Sequence, residues 1–225
     1  MLSCHDRQQP LAEQRRERFK EDYGYALPEG FIPGEKPKPD GCLGCPLYGT
    51  GRGFVPDEIR PDAEVLVLLQ NPGKTEEEEG APACGKTGQF LNRTYLPLAG
   101  LSRDTVSVAN VLKCRYQNSN NLPEGETLRE AVIHCTQAHL RVTQKTRLVI
   151  LQGALALAYA TDTIGQPKPQ YNITGWRGFL VPVSRLGLRA DQHQGAVGGD
   201  VLKAYATLHT ADLLRDSRMA WVAEY

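Results

Sequence analysis

The chain holds 225 residues, 40% of them hydrophobic and 23% charged, an ordinary globular balance with enough length to bury one full core. Its 26 basic and 26 acidic residues cancel, so the strongly basic character of a dedicated nucleic-acid binder is absent, although the total leaves room for a local basic patch. No run is apolar for long enough to span a bilayer, and MLSCHDRQQP lacks the apolar stretch of a signal peptide, so the expectation is a soluble cytoplasmic protein without a membrane partner.

Residues 1–40 begin with a polar, Glu- and Arg-rich run, Leu11 to Tyr23, expected to be helical. The Pro- and Gly-rich stretch PEGFIPGEKPKPDG follows, so residues 1–40 read as an arm packed on a core formed by residues 41–225. EVLVLLQ, bounded by Pro61-Asp62 and Asn71-Pro72-Gly73, has the length and branching of a buried parallel strand. GQFLNRTYLPLAGL spaces Phe90, Leu91, Tyr95 and Leu98 as a helix that stops at Gly100. TVSVANVLK predicts a second strand, Glu126 to Thr143 a helix, RLVILQG a third strand and ALALAYA the helix after it. FLVPV and YATLH predict later strands, and ADLLRDSRMAWVAEY a closing helix. Strands alternating with helices imply an α/β fold, a three-layer αβα sandwich around a mostly parallel sheet. Ligands of such sheets bind beyond the carboxyl ends of the strands. The loops there carry Gln70-Asn71-Pro72-Gly73, then Asn110 with Lys113-Cys114, then His209-Thr210.

Six cysteines stand at 4, 42, 45, 84, 114 and 135, a set that a reducing compartment leaves without disulfides. Cys42-Leu-Gly-Cys45 is a CxxC in a turn supplied by Gly41, Gly44 and Pro46, which lets two thiolates reach one metal centre. Cys114 and Cys135 raise the ligand count to four, which suits structural zinc and an iron–sulfur cluster equally. Cys4 and Cys84 read as free thiols, Cys84 as a small buried side chain.

The motifs CLGCPL, NPGKTEEEEGAPACGKTG, ANVLKCR, IHC, LVILQGALA, WRG and LHTADLLR occur in that order. In order, spacing and placement after strands they resemble the uracil-DNA glycosylase superfamily, in particular its iron–sulfur branch, family 4, over roughly Cys42 to Arg215. The resemblance, and not the cysteine spacing, selects a [4Fe-4S] cluster held by Cys42, Cys45, Cys114 and Cys135, in a structural role that ties the arm to the core. It implies that Asn71 orients the attacking water, that Asn110 reads the polar edge of a pyrimidine and that His209 stabilises charge on the departing base. It places Gln70 beside the sugar and Gly73 and Ala83 in the substrate pocket, with Leu213, Leu214 and Arg215 pressing into the minor groove and contacting phosphate. Lys113 and Arg115, flanking Cys114, are candidates for phosphate contact or for plain surface charge. Glu76–Glu79 falls in the family's acidic loop near the pocket.

Four departures stand out: Gln70 where the family has Glu, Ala83 where it has a Phe that stacks on the base, Thr210 where it has Pro, and a long Gly-rich segment from Ser184 to Gly199. Losing the stacking ring removes roughly 1–3 kcal/mol unless something replaces it. The expected activity is hydrolysis of the N-glycosidic bond of uracil or a related modified pyrimidine, by a monomer acting on DNA with a flipped target base, in a bacterial, archaeal or phage-infected cell. Two other readings are an enzyme of the same fold acting on hypermodified bases in a phage DNA-modification pathway, and a non-catalytic DNA-binding module.

Overall fold

A computed structural model describes residues 4–34, 36–117, 121–164, 172–181 and 202–210. The expected closing helix, with Leu213, Leu214 and Arg215, and the Ser184–Gly199 segment lie outside the described residues.

Helix α1 runs from Cys4–Tyr23, seven residues earlier than its polar run suggested, and ends where Gly24 takes a φ of +77° and donates to the carbonyl of Lys20. Its Phe19, with Tyr25 and Leu27, packs on Ala81 and Cys84, and Gly34 donates to the carbonyl of Glu79 at 2.6 Å. The arm therefore braces the segment that follows the first long strand.

The two-residue strand β1 (Gly51–Arg52) leads to β2 (Val65–Leu69) and a short helix α2 (Lys74–Glu79). The predicted single helix beyond it is a continuous run of α3 (Lys86–Phe90), a π turn over Leu91–Tyr95 and α4 (Leu96–Leu98), stopped at Gly100 with φ +68°. Strand β3 (Val106–Asn110) is shorter than TVSVANVLK because the chain turns after Asn110, and β4 (Arg115–Tyr116) follows Cys114. Helix α5 (Gly125–His139) ends four residues before Thr143, at an extended Leu140. Then come β5 (Leu148–Gln152), α6 (Ala154–Ala160), α7 (Ile173–Trp176), β6 (Leu180–Val181) and β7 (Lys203–Thr207).

The main sheet has the order β3-β2-β5-β7-β6, parallel throughout except for β6, which pairs antiparallel at the edge. β1 and β4 form a separate antiparallel ribbon. Both faces of the main sheet are covered, which is why its strands read as nearly unbroken apolar runs. Leu66, Leu68, Ala109, Val149, Leu151, Ala204 and Ala206 share one buried cluster with residues of α5 and α6. Val67, Leu69, Val106 and Val108 pack on the opposite side with Leu91 and Leu96. Among the described residues no helix is long and apolar enough to cross a membrane.

Candidate active site and cysteine centre

The carboxyl ends of β2, β3 and β7 open on one cavity. Gln70, Asn71, Gly73, Ala83, Asn110 and His209 all line it, together with Leu69, Pro72, Glu76, Thr87, Gly88, Leu91 and Thr210. The topology thus gathers every described residue that the sequence suggested for the chemistry. No Phe, Tyr or Trp is among these lining residues.

Asn110 ends β3 at 2% exposure, and its Nδ2 has no hydrogen-bond partner among the described residues. A buried amide nitrogen in that state is costly, so its presence at a cavity wall points to a ligand acceptor. Asn71 stands in the loop after β2, its Nδ2 donating to the carbonyl of Pro72 at 3.2 Å. The Gln70 oxygen is engaged: it accepts from the Leu155 amide at 2.9 Å, at the start of α6. A Cβ at Gly153, whose φ is +92°, would come within 2.9 Å of the Gln70 side chain, so the glycine admits this contact. Gln70 therefore couples the β2 loop to the β5–α6 turn while it lines the cavity.

Two features of the walls were not legible in the sequence. The Glu76 carboxylate accepts from Gly73 at 3.1 Å and from Gly85 at 2.7 Å, bracketing the loops on two sides of the cavity. The acidic run had suggested a loop near the pocket without a role for any one glutamate. Ala83 sits at φ +48°, and its carbonyl is so close to Gly88 that an added Cβ there would fall 1.9 Å from it. Arg103 holds this strained turn, donating to the carbonyls of Pro82 at 2.6 Å and Ala83 at 3.4 Å. Its guanidinium is paired with Glu58 at 2.7 Å and lies 4.6 Å from the centre of the Tyr25 ring. Nothing in the local sequence around Glu58 or Arg103, 45 residues apart, signals this pairing.

Lys113 and Arg115 are neither surface charges nor presented to a phosphate. The Lys113 ammonium is 1% exposed and meets Asp57 at 2.5 Å as well as the carbonyl of Asn110, while Arg115 pairs with Glu77 at 2.6 Å. Both cations are taken up by internal carboxylates that lie far away in sequence.

A second cavity is lined by Cys42, Cys45, Cys114 and Cys135, with Leu47, Leu112 and Phe54 among its apolar walls. The CxxC turn closes through Cys45 donating to the carbonyl of Cys42 at 3.1 Å, with Gly44 at φ +83°. Cys114 arrives four residues after Asn110, and Cys135 projects from α5. Backbone amides already point at two sulfurs: Leu47 donates to Cys45 at 3.4 Å, and Lys113 to Cys135 at 3.3 Å. His139 Nε2 lies 3.2 Å from the Cys42 sulfur, a contact that its residue type alone did not suggest. His134, also near the centre, instead meets the carbonyl of Gly41 at 2.9 Å. Lys38, from the arm, donates to the carbonyls of Leu47, Tyr48 and Gly51 and so clamps the cysteine loop. Burial pushes the Cys114 thiol up to about 11 and the Cys135 thiol up to about 12, so these sulfurs stay protonated near neutral pH unless a positive centre holds them as thiolates. Among the described residues no group of three or more His, Cys, Asp or Glu stands in a preformed metal-ion arrangement. The four cysteine sulfurs, with His139 beside Cys42, apolar walls and amides aimed at two of the sulfurs, nonetheless suit a cluster. Cys84 is buried apart from this group, against the arm.

The strand-end cavity of this parallel α/β sheet thus gathers Asn71 from the loop after β2, Asn110 from the end of β3 and His209 from beyond β7, where such sheets bind their ligands. The model of the Uracil DNA glycosylase superfamily matches residues 56–224, and the chain belongs to that superfamily. Among its relatives is the type-4 uracil-DNA glycosylase of Saccharolobus solfataricus, 28% identical over 153 residues, covering 63% of this chain and 68% of that one. Another is the type-4 uracil-DNA glycosylase of Pyrobaculum aerophilum, 29% identical over 175 residues, covering 77% of this chain and 80% of the relative. The type-4 uracil-DNA glycosylase of Thermotoga maritima is 30% identical over 139 residues, covering 61% and 70%.

Proposed function

We propose that this protein is a DNA glycosylase that hydrolyses the N-glycosidic bond of uracil, or of a closely related pyrimidine, in DNA. The observation that carries the reading is the buried Asn110 Nδ2, without a partner among the described residues, in the same cavity as Asn71 and His209. An amide presents a donor and an acceptor in one plane, which matches the polar edge of a pyrimidine. Cleavage leaves cation-like character on the sugar and anion-like character on the base. His209 is the group that stabilises the base as it departs, a role of the oxyanion-hole kind. Asn71 orients the water, which needs placement more than deprotonation because its target is already electrophilic. The target nucleotide leaves the stack to reach the cavity. Leu213, Leu214 and Arg215 follow His209 closely in sequence and are assigned to the DNA groove and backbone. The names of the relatives favour this reading over action on hypermodified bases or binding without turnover.

Cys42, Cys45, Cys114 and Cys135 would hold a [4Fe-4S] cluster. Bound there, it supplies a cross-link between the CxxC loop, the segment after β3 and helix α5. The protein is read as a monomer in the cytoplasm of its cell.

The test is a panel of single- and double-stranded oligonucleotides, each carrying one altered base. Strand cleavage at the abasic site after alkaline treatment is expected with uracil. No turnover and no base-dependent binding across the panel overturns the reading. The cysteine centre has its own check. A Cβ at Gly51 would lie 2.4 Å from the Cys114 sulfur and 2.9 Å from the carbonyl of Leu47, so Gly51→Ala is expected to lose most of the bound iron and the accompanying visible absorbance. Full iron content in that variant argues against the ligand set.

A further inference from the structure

Gln152 ends β5 at 0% exposure, yet neither its Oε1 nor its Nε2 has a hydrogen-bond partner among the described residues. The strand alternation fixes the face it occupies. Val149 and Leu151 belong to the cluster beneath α5 and α6, whereas Ile150 packs with the cluster beneath α3 and α4, so Gln152 shares the face of Ile150. The sheet register then places it. Leu69 pairs with Asn110, Leu68 pairs with Leu151 so that Leu69 stands beside Gln152, and Gln152 pairs with Thr207. One row, Asn110–Leu69–Gln152–Thr207, therefore crosses the carboxyl end of the sheet. Leu69 and Asn110 in that row are walls of the cavity assigned above to the base. With strands about 4.8 Å apart, the two amides flank Leu69 from Cα positions about 10 Å apart. Beyond β7, Thr210 lines the same cavity at 0% exposure, and its hydroxyl also has no partner among the described residues.

A buried amide with no partner is worse for the fold than an apolar side chain of its size. Among the described residues the Asn110 Nδ2, both polar atoms of Gln152 and the Thr210 hydroxyl lack partners; Asn110 and Thr210 line the cavity, and Gln152 stands in the row whose Leu69 and Asn110 form its wall. Their unmet hydrogen bonds are accounted for together if a polar ligand and an enclosed water complete them. We propose that Gln152 is a positioning residue for base recognition, its amide and the Thr210 hydroxyl holding a water against the polar edge of the bound base opposite Asn110. The proposal rests on the reading of this cavity as the base site.

The test uses the full chain with Gln152→Met, which keeps the length of the side chain and removes both polar atoms. Melting temperature is measured beside kcat and KM on a uracil oligonucleotide. The expected result is a melting temperature equal to or above that of the parent, a KM raised about tenfold and a nearly unchanged kcat. Discrimination between uracil and the other bases of the panel should narrow as well. Gln152→Leu serves if the Met variant does not fold. A raised melting temperature with unaltered KM and discrimination marks the amide as a buried misfit and overturns the proposal, as does loss of fold in both variants. Normal excision by the parent with unaffected variants overturns only the role of Gln152, whereas a parent that neither binds nor excises uracil overturns the base site itself.

Discussion

His209→Ala and Asn71→Ala should each lower uracil excision about 100- to 1000-fold while leaving iron content and visible absorbance intact. The two halves of this expectation have separate structural grounds. His209 and Asn71 line the strand-end cavity, and neither lines the cavity of the four cysteines. In the role proposed for it, the histidine stabilises charge on the departing base that exists only in the transition state, so its removal should lower kcat with little change in KM. Removing Asn71, proposed to place the water, should give the same signature. The measurement is single-turnover cleavage of a uracil oligonucleotide, with iron analysis of the same preparations. Parent-like rates in both variants would show that the chemistry is located elsewhere; loss of iron along with activity would show that the two centres are not separable.

The second large effect concerns stability. Glu58 is 0% exposed and accepts from Arg103 at 2.7 Å and from Arg60 at 3.0 Å. Glu58→Ala leaves the Arg103 guanidinium buried without its carboxylate, at a cost of about 3–5 kcal/mol. For a chain of this size that corresponds to a melting temperature lower by roughly 10 °C. The effect should reach the pocket, because the same guanidinium holds the carbonyls of Pro82 and Ala83. Glu58→Leu combined with Arg103→Met removes both charges and should recover part of the lost stability, although the Ala83 turn then lacks its clamp. A single Glu58→Ala variant that melts with the parent would mean that solvent reaches the guanidinium after all.

The strands were legible because burial on both faces makes each a short apolar run: EVLVLLQ contains β2 and RLVILQG contains β5. Their ends were less so. TVSVANVLK continues in apolar character past Asn110, and only the packed structure shows the chain turning there. The helical spacing around Phe90 was right in kind but gave no sign of the π turn at Leu91–Tyr95, because the same residues satisfy both hydrogen-bonding patterns. Lys113 and Arg115 were misjudged for a different reason. A cation beside a cysteine motif reads as exposed until its carboxylate is known, and Asp57 and Glu77 come from segments that only folding brings near.

By itself the sequence determined the α/β class, the strand-end placing of Asn71, Asn110 and His209, and the grouping of Cys42 and Cys45, because periodicity and turn chemistry act over a few residues. Resemblance to a family, and not spacing, selected an iron–sulfur cluster over zinc for Cys42, Cys45, Cys114 and Cys135. Only the tertiary structure decided that the Asn110 Nδ2 is buried without a partner among the described residues, that Glu76 and Arg103 brace the cavity walls and that Gln152 stands in the same row as Asn110. Those facts depend on strand register and on contacts across dozens of residues, and a one-residue slip in register would turn each strand's side chains to the other face of the sheet.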